Sequence, residues 1–188
     1  MLAQLGKTPF YKKAKPTPFD EAVSLVWYLE HVFYHSVPKI YNYIQHHIYD
    51  GKPIDNEIID LGFWPGGDRD GNPFVTTKIT LDVAERLRQT VLRSYYRDVR
   101  RLKRRFTFDG VQDILARVEK RLYKHVVRSY VKVNFSQKIL LEELYAAREI
   151  IVNEHQSLFV EELNDFINKV RIFGFHFATL DIRQDSRV

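Results

Sequence analysis

Residues able to do chemistry gather at two places in this chain. The first is Gly66-Gly67-Asp68-Arg69-Asp70-Gly71-Asn72-Pro73, with three glycines, two carboxylates, one guanidinium and a proline in eight positions. That composition disfavours helix and strand and suits a rigid polar loop, because glycine reaches positive φ freely and Asp and Asn bond their own backbone. The second is Leu180-Asp181-Ile182-Arg183-Gln184-Asp185-Ser186, where an apolar run ends in alternating charges. Arg69 among glycines suits a phosphate or carboxylate, since backbone amides and a planar guanidinium can approach such an anion together. A turn stapled by Asx bonds and an internal Arg–Asp pair is the other reading of the same loop. Calcium fits poorly: counting from Asp68, the sixth position is Pro73 rather than Gly, and the twelfth is Ile79 rather than a bidentate Glu.

Other polar groupings carry weaker signals. Arg97, Arg100, Arg101, Lys103, Arg104 and Arg105 form the densest basic cluster. Clustered cations can neutralise nucleic-acid phosphates, but these fall at the C-terminal end of an amphipathic helix, where cations complement the macrodipole. A solvated helix end is therefore preferred, and no nucleic-acid partner is expected. His31 and His35, and His46 and His47, have no H-E-x-x-H spacing and read as helix-face residues. Asn134-Phe135-Ser136 matches a glycosylation sequon, read as chance because no secretory signal accompanies it. The absence of cysteine excludes a disulfide scaffold and thiolate metal sites.

Positioning these residues falls mostly to helices. Thr17-Pro18-Phe19-Asp20-Glu21 combines a Thr cap, Pro at the first helical position and acids in the first turn. Ala22, Val26, Leu29 and Phe33 follow at helical spacing, and Ser36 and Pro38 predict a restart into a second helix through Ile48. Ile58 to Trp64 is short and apolar, suited to a strand or an extended buried lead-in. From Ile79 to Phe106 apolar residues step by four, once by three, which predicts one helix of nearly thirty residues. Asp109 and Gln112 predict a capping box for a fourth helix, Ser136 opens a fifth, and a sixth runs from about Leu158 to Ile172 and stops at Gly174. From Phe175 the period drops to two, which predicts a single strand with no partner in evidence. A lone apolar strand cannot satisfy its own backbone, so the chain is expected to continue into neighbouring strands. The expected organisation is one partial domain: 1–16 a basic arm, 17–62 two helices and the lead-in, 63–76 the polar loop, 77–173 a helical array, and 174–188 the strand.

Bulk properties are compatible with this. A chain of 188 residues, 45% hydrophobic with 13 Phe and 11 Tyr, can build a core. The formal charge of +5 suits anionic partners without demanding one. No apolar run is long enough to span a bilayer, and a cytoplasmic protein without membrane association is expected.

Three blocks resemble one family. Lys15-Pro16-Thr17-Pro18-Phe19-Asp20-Glu21-Ala22 is similar to a P-T-P-x-D-E helix start, and Phe63 to Thr76 to a W-x-G-G-D-R-D-G-N-P-x-V-T block. Phe173-Gly174 followed by Leu180 to Ser186 is similar to F-G…D-I-R-Q-E-S, with Asp185 in place of Glu. All three resemble phosphoenolpyruvate carboxylase. The resemblance implies a mainly α section of about six helices ending in one strand of a helix-rich, TIM-like α/β barrel. It implies a homotetrameric carbon–carbon lyase that makes oxaloacetate from phosphoenolpyruvate and bicarbonate with Mg²⁺ or Mn²⁺. It places Arg183 in the substrate pocket, and Asp68, Arg69, Asp70 and Asn72 in a loop nearby. The family's T-A-H-P-T-E and F-H-G-R-G-G words and its acidic metal ligands are missing from these residues. This chain alone is therefore expected to be inactive, to hold no metal, and to self-associate through its strand. The alternative is an independent helical module that contacts RNA or protein through its basic helix.

Overall fold

A computed structural model of the chain describes residues 7, 15–52, 54, 58–70, 72–127 and 135–184. Most of the expected basic arm, Gly71, Asn134, Asp185 and Ser186 lie outside them. Helix α1 (Pro18–Tyr28) begins as its sequence predicts. The Thr17 hydroxyl accepts the Asp20 N–H at 3.2 Å, and the Asp20 carboxylate accepts the Thr17 N–H at 3.0 Å. That reciprocal pairing satisfies two of the amide donors a helix start leaves open. The restart expected at Ser36 and Pro38 does not occur. A π-helical turn (Leu29–Phe33) carries the chain directly into α2 (Tyr34–Ile48), with Pro38 inside the helix. Proline cannot bond its i−4 carbonyl and crowds it, and a widened turn just before Pro38 accommodates that without breaking the rod.

Helix α3 (Thr77–Arg105) is the 29-residue rod that the step of four predicts, capped by the Thr76 hydroxyl on the Ile79 N–H. Its stripe of Val83, Leu87, Val91, Tyr95, Val99 and Leu102 is at most 1% exposed. Around it lie α1, α4 (Val111–Val127) and α6 (Val160–Phe173), and α5 (Gln137–Glu154) closes the array against α4 and α6. Leu115, Val118, Leu122, Leu140, Leu144, Ile151 and Val170 are fully buried between these rods. Each such side chain contributes roughly 1.5–3 kcal/mol of transfer free energy, which makes this seam the main source of stability. The Asp109–Gln112 capping box is absent. The Asp109 carboxylate instead accepts the neighbouring Gly110 N–H, and α4 starts at Val111.

The C-terminal segment departs from the expected lone strand in two ways. Residues 174–178 turn rather than extend, with Gly174 at φ 52°, Phe177 at φ 70°, and the Phe177 N–H on the Phe173 carbonyl at 2.9 Å. Phe175, Phe177 and Ala178 all point into the core, so the alternation from Phe175 arises from turn packing and not from a pleat. The strand that follows, β2 (Thr179–Leu180), has a partner. It pairs in parallel with β1 (Gly62–Phe63), Gly62 opposite Thr179 and Phe63 opposite Leu180. The lead-in is thus the missing neighbour. The described chain is a mainly helical assembly with one two-stranded sheet, and the Thr179 N–H donates to the Leu61 carbonyl at 2.7 Å, joining segments on either side of the helices α3 to α6 in sequence.

Candidate functional site

The two motif blocks meet. Beyond β1 and β2 the ladder continues: the Arg69 N–H donates to the Arg183 carbonyl at 2.9 Å and the Arg183 N–H to the Gly67 carbonyl at 3.2 Å. Asp68 and Arg183 form a parallel bridge, so residues 115 positions apart share one polar tip at the carboxyl end of the sheet. Two glycines allow the approach. A Cβ on Gly67 would lie 2.2 Å from the Asp181 carbonyl oxygen. One on Gly66, at φ +81°, would lie 2.6 Å from Val83 of α3. The pair is therefore clamped between strand and helix, where only hydrogen fits.

Within the loop, the Asp68 carboxylate accepts the Asp70 N–H and the Asn72 side chain accepts the Phe74 N–H, both at 3.1 Å. These are the Asx turns the sequence suggested. Arg69 turns inward. Its Nη2 donates to the hydroxyls of Thr77 and Thr80 at 3.2 and 3.4 Å, and Thr80 in turn donates to the Gly66 carbonyl at 2.7 Å. Arg69 thus braces the loop against the first turn of α3. Arg183 points outward, its side chain 63% exposed. Asp181 holds it through Nε at 3.0 Å and Nη2 at 2.6 Å on one carboxylate oxygen, which raises the Arg183 pKa, with Asp68 and Asp70 adding smaller effects. A groove of about 570 Å³ opens beside this tip between Asp60, Trp64, Thr179 and Ile182. Trp64 and Ile182 are exposed there, whereas Phe175 and Phe177 are buried, so the strand aromatics present no adhesive surface.

Other expected groups settle differently. The basic cluster of α3 is largely paired: Arg97 with Glu30, Arg100 and Lys103 with Glu119, Arg101 with Asp98, and Arg105 with Glu162. Four carboxylates, Glu30, Glu119 and Glu162 from other segments and Asp98 from α3 itself, thus interrupt the positive face. His31 stacks on Trp27 with ring centroids 4.5 Å apart. His125 of α4 is buried; its Nδ1 lies 3.2 Å from Arg88 Nη2, and burial followed by the Arg88 charge lowers its pKa.

Sequence reasoning missed a buried polar junction. Asp98 accepts the Lys169 ammonium at 2.7 Å and the Tyr34 hydroxyl at 2.8 Å, and joins α2, α3 and α6. The Lys169 ammonium also sits 4.5 Å from the Tyr34 ring centroid. Burial, and then the Asp98 charge, push the Tyr34 phenol well above its ordinary value. A signal existed: Asp98 falls on the buried stripe of α3, three residues after Tyr95 and four before Leu102.

The parallel strand pair, the charged tip at its carboxyl end and the surrounding helices define a mainly helical section with one small parallel sheet. The family model described as phosphoenolpyruvate carboxylase matches residues 1–138 and 113–188. The chain belongs to that family. It is 28% identical to the phosphoenolpyruvate carboxylase of Vibrio vulnificus over 218 residues, 99% of this chain and 25% of that protein. For the Shewanella loihica enzyme the figures are 28% over 219 residues, 100% of this chain and 25% of the relative. For that of Nitrosomonas eutropha they are 26% over 227, 98% and 24%. The chain thus spans about a quarter of the length of these relatives. No three His, Asp or Glu side chains among the described residues are placed to hold a metal ion, and no described helix is long and apolar enough to cross a membrane.

Proposed function

We propose that this chain is a section of a phosphoenolpyruvate carboxylase that supplies one edge of the substrate pocket and does not turn over by itself. The observation that carries this is the Asp68–Arg183 bridge, which joins two family-like blocks into one tip. In the whole enzyme, bicarbonate would attack the phosphorus of phosphoenolpyruvate to give carboxyphosphate and pyruvate enolate; carboxyphosphate would break down to CO₂ and phosphate, and the enolate would then attack that CO₂ to give oxaloacetate. Arg183 is the group suited to the substrate's phosphate or carboxylate, because it is solvent-facing and Asp181 fixes its orientation. Asp68, Asp70 and Asn72 hold the loop that presents it, and Arg69 holds that loop to α3. Mg²⁺ or Mn²⁺ is implied by the family. The described residues offer no cluster that fits such an ion.

Charge explains why the section would be silent alone. Around the single outward guanidinium stand Asp68, Asp70 and Asp181, and Arg69 is turned away. A substrate that carries both a carboxylate and a phosphate needs further cations, which other parts of a homotetrameric enzyme would provide. Groups that act as a unit lose nearly all turnover when several are missing. The test is oxaloacetate formation from phosphoenolpyruvate, bicarbonate and Mg²⁺, coupled to NADH oxidation, with this chain beside the Vibrio vulnificus enzyme. Turnover by the relative and none by the chain is expected; turnover by the chain alone would refute the reading.

A further inference from the structure

A second concave surface lies away from the Asp68–Arg183 tip, where α2, α3 and α6 meet. It is a cleft of about 350 Å³ bordered by His35 and Lys39 of α2, Arg101 of α3, and Glu162, Asp165 and Lys169 of α6. At its base is Lys169, 9% exposed. Cations outnumber anions here. Asp98 is shared between Lys169 at 2.7 Å and Arg101 at 3.5 Å. Glu162 is engaged by Arg105 at 3.0 Å, and Asp165 accepts the Asn42 side-chain amide. Lys39 has no carboxylate within ion-pair distance among the described residues. Lys39, Arg101 and Lys169 thus line the cleft with Glu162 and Asp165, Arg105 engages Glu162 from beside it, and His35 stands on the rim able to add a further positive charge. The imidazole registers that field: burial, then Lys169, with Arg101 and Lys39 adding to it and Asp98 opposing, lower its pKa.

We propose that this cleft binds a phosphate group, held by the Lys39 ammonium and the Arg101 guanidinium above Lys169. Both side chains are exposed, Arg101 with a 3.5 Å ion pair to Asp98, and a guanidinium can donate two parallel hydrogen bonds to an oxyanion. The small volume and the flanking carboxylates of Glu162 and Asp165 admit a single phosphate and repel a long polyanion. Occupancy would also compete with Asp98 for Lys169 and Arg101, and so act on the junction that ties α2 to α3 and α6.

The test is NMR of the His35 ring in the full chain, titrated with inorganic phosphate against chloride at matched ionic strength. A saturable shift of the His35 resonance with phosphate, and a rise in its pKa on binding, are expected, since a nearby anion favours the charged imidazole. Lys39→Ala and Arg101→Ala, both surface changes, should each weaken the apparent affinity by about tenfold, the scale of one charge-assisted hydrogen bond. Glycerol phosphate serves as a second probe. Tighter binding than inorganic phosphate would identify a phosphomonoester as the occupant, and equal binding would identify free phosphate; either supports the site. No saturable shift, an equal shift with chloride, or full affinity retained in the Lys39→Ala/Arg101→Ala double variant would overturn it.

Discussion

Gly67 has no room for a methyl group. Its Cβ would sit 2.2 Å from the Asp181 carbonyl oxygen, a backbone atom that cannot rotate away. Gly67→Ala is expected to lower stability by about 3 kcal/mol, the upper end for overpacking, measured by urea unfolding. Arg183→Ala, by contrast, removes an exposed side chain and should change stability by less than about 0.5 kcal/mol in the same measurement. His125 sets a pH dependence. Its folded pKa lies below the ordinary value of about 6.5, so the unfolded chain takes up the proton first as pH falls. The contribution of the neutral, buried ring is present above that pH and is lost as pH drops through the folded pKa. Unfolding free energy should fall with decreasing pH below about 6.5, and more shallowly in His125→Gln, where only His35 keeps the same direction of shift. At this scale the sequence was informative about residue type and less so about direction. The glycines, Asx turns and outward Arg183 follow from local chemistry. The inward turn of Arg69 depends on Thr77 and Thr80, whose hydroxyls reach it only once α3 is docked.

Elements were legible wherever their period was long. The step of four in α3, the Thr17 cap and the Gly174 stop need nothing beyond local rules, and each is found in place. The α1–α2 join and the segment after Phe173 were misread because tertiary packing overrode a local signal. Pro38 is absorbed by a π turn, and Phe175 and Phe177 satisfy the core from a turn. The two-residue strands were too short for periodicity to pair them, and their register appears only in three dimensions. The Asp98–Lys169 bridge fastens three helices at once. Asp98→Ala should cost about 3–5 kcal/mol by leaving a buried ammonium unpaired, whereas Asp98→Leu/Lys169→Met should cost markedly less than the sum of the single changes, read by a double-mutant cycle in urea.

For the whole molecule, the sheet makes the helical array a support for one polar tip. Thr179 donates to Leu61, Asp181 to Phe63, Arg183 to Gly67 and Arg69 to Arg183 through backbone hydrogen bonds along one ladder. Chemistry-bearing residues distant in sequence are thereby held by backbone bonds, and Arg183 can be positioned without burying its side chain. The central claim is that the two motif blocks form one unit in this chain. Amide hydrogen exchange, resolved by NMR, tests it most directly. Protection of the Arg69, Thr179, Asp181 and Arg183 amides well above the Asp70 amide, which only the Asp68 side chain accepts, and loss of that protection in Gly67→Ala, is the predicted result. Exchange of those four amides at the rate of an unstructured chain would contradict it.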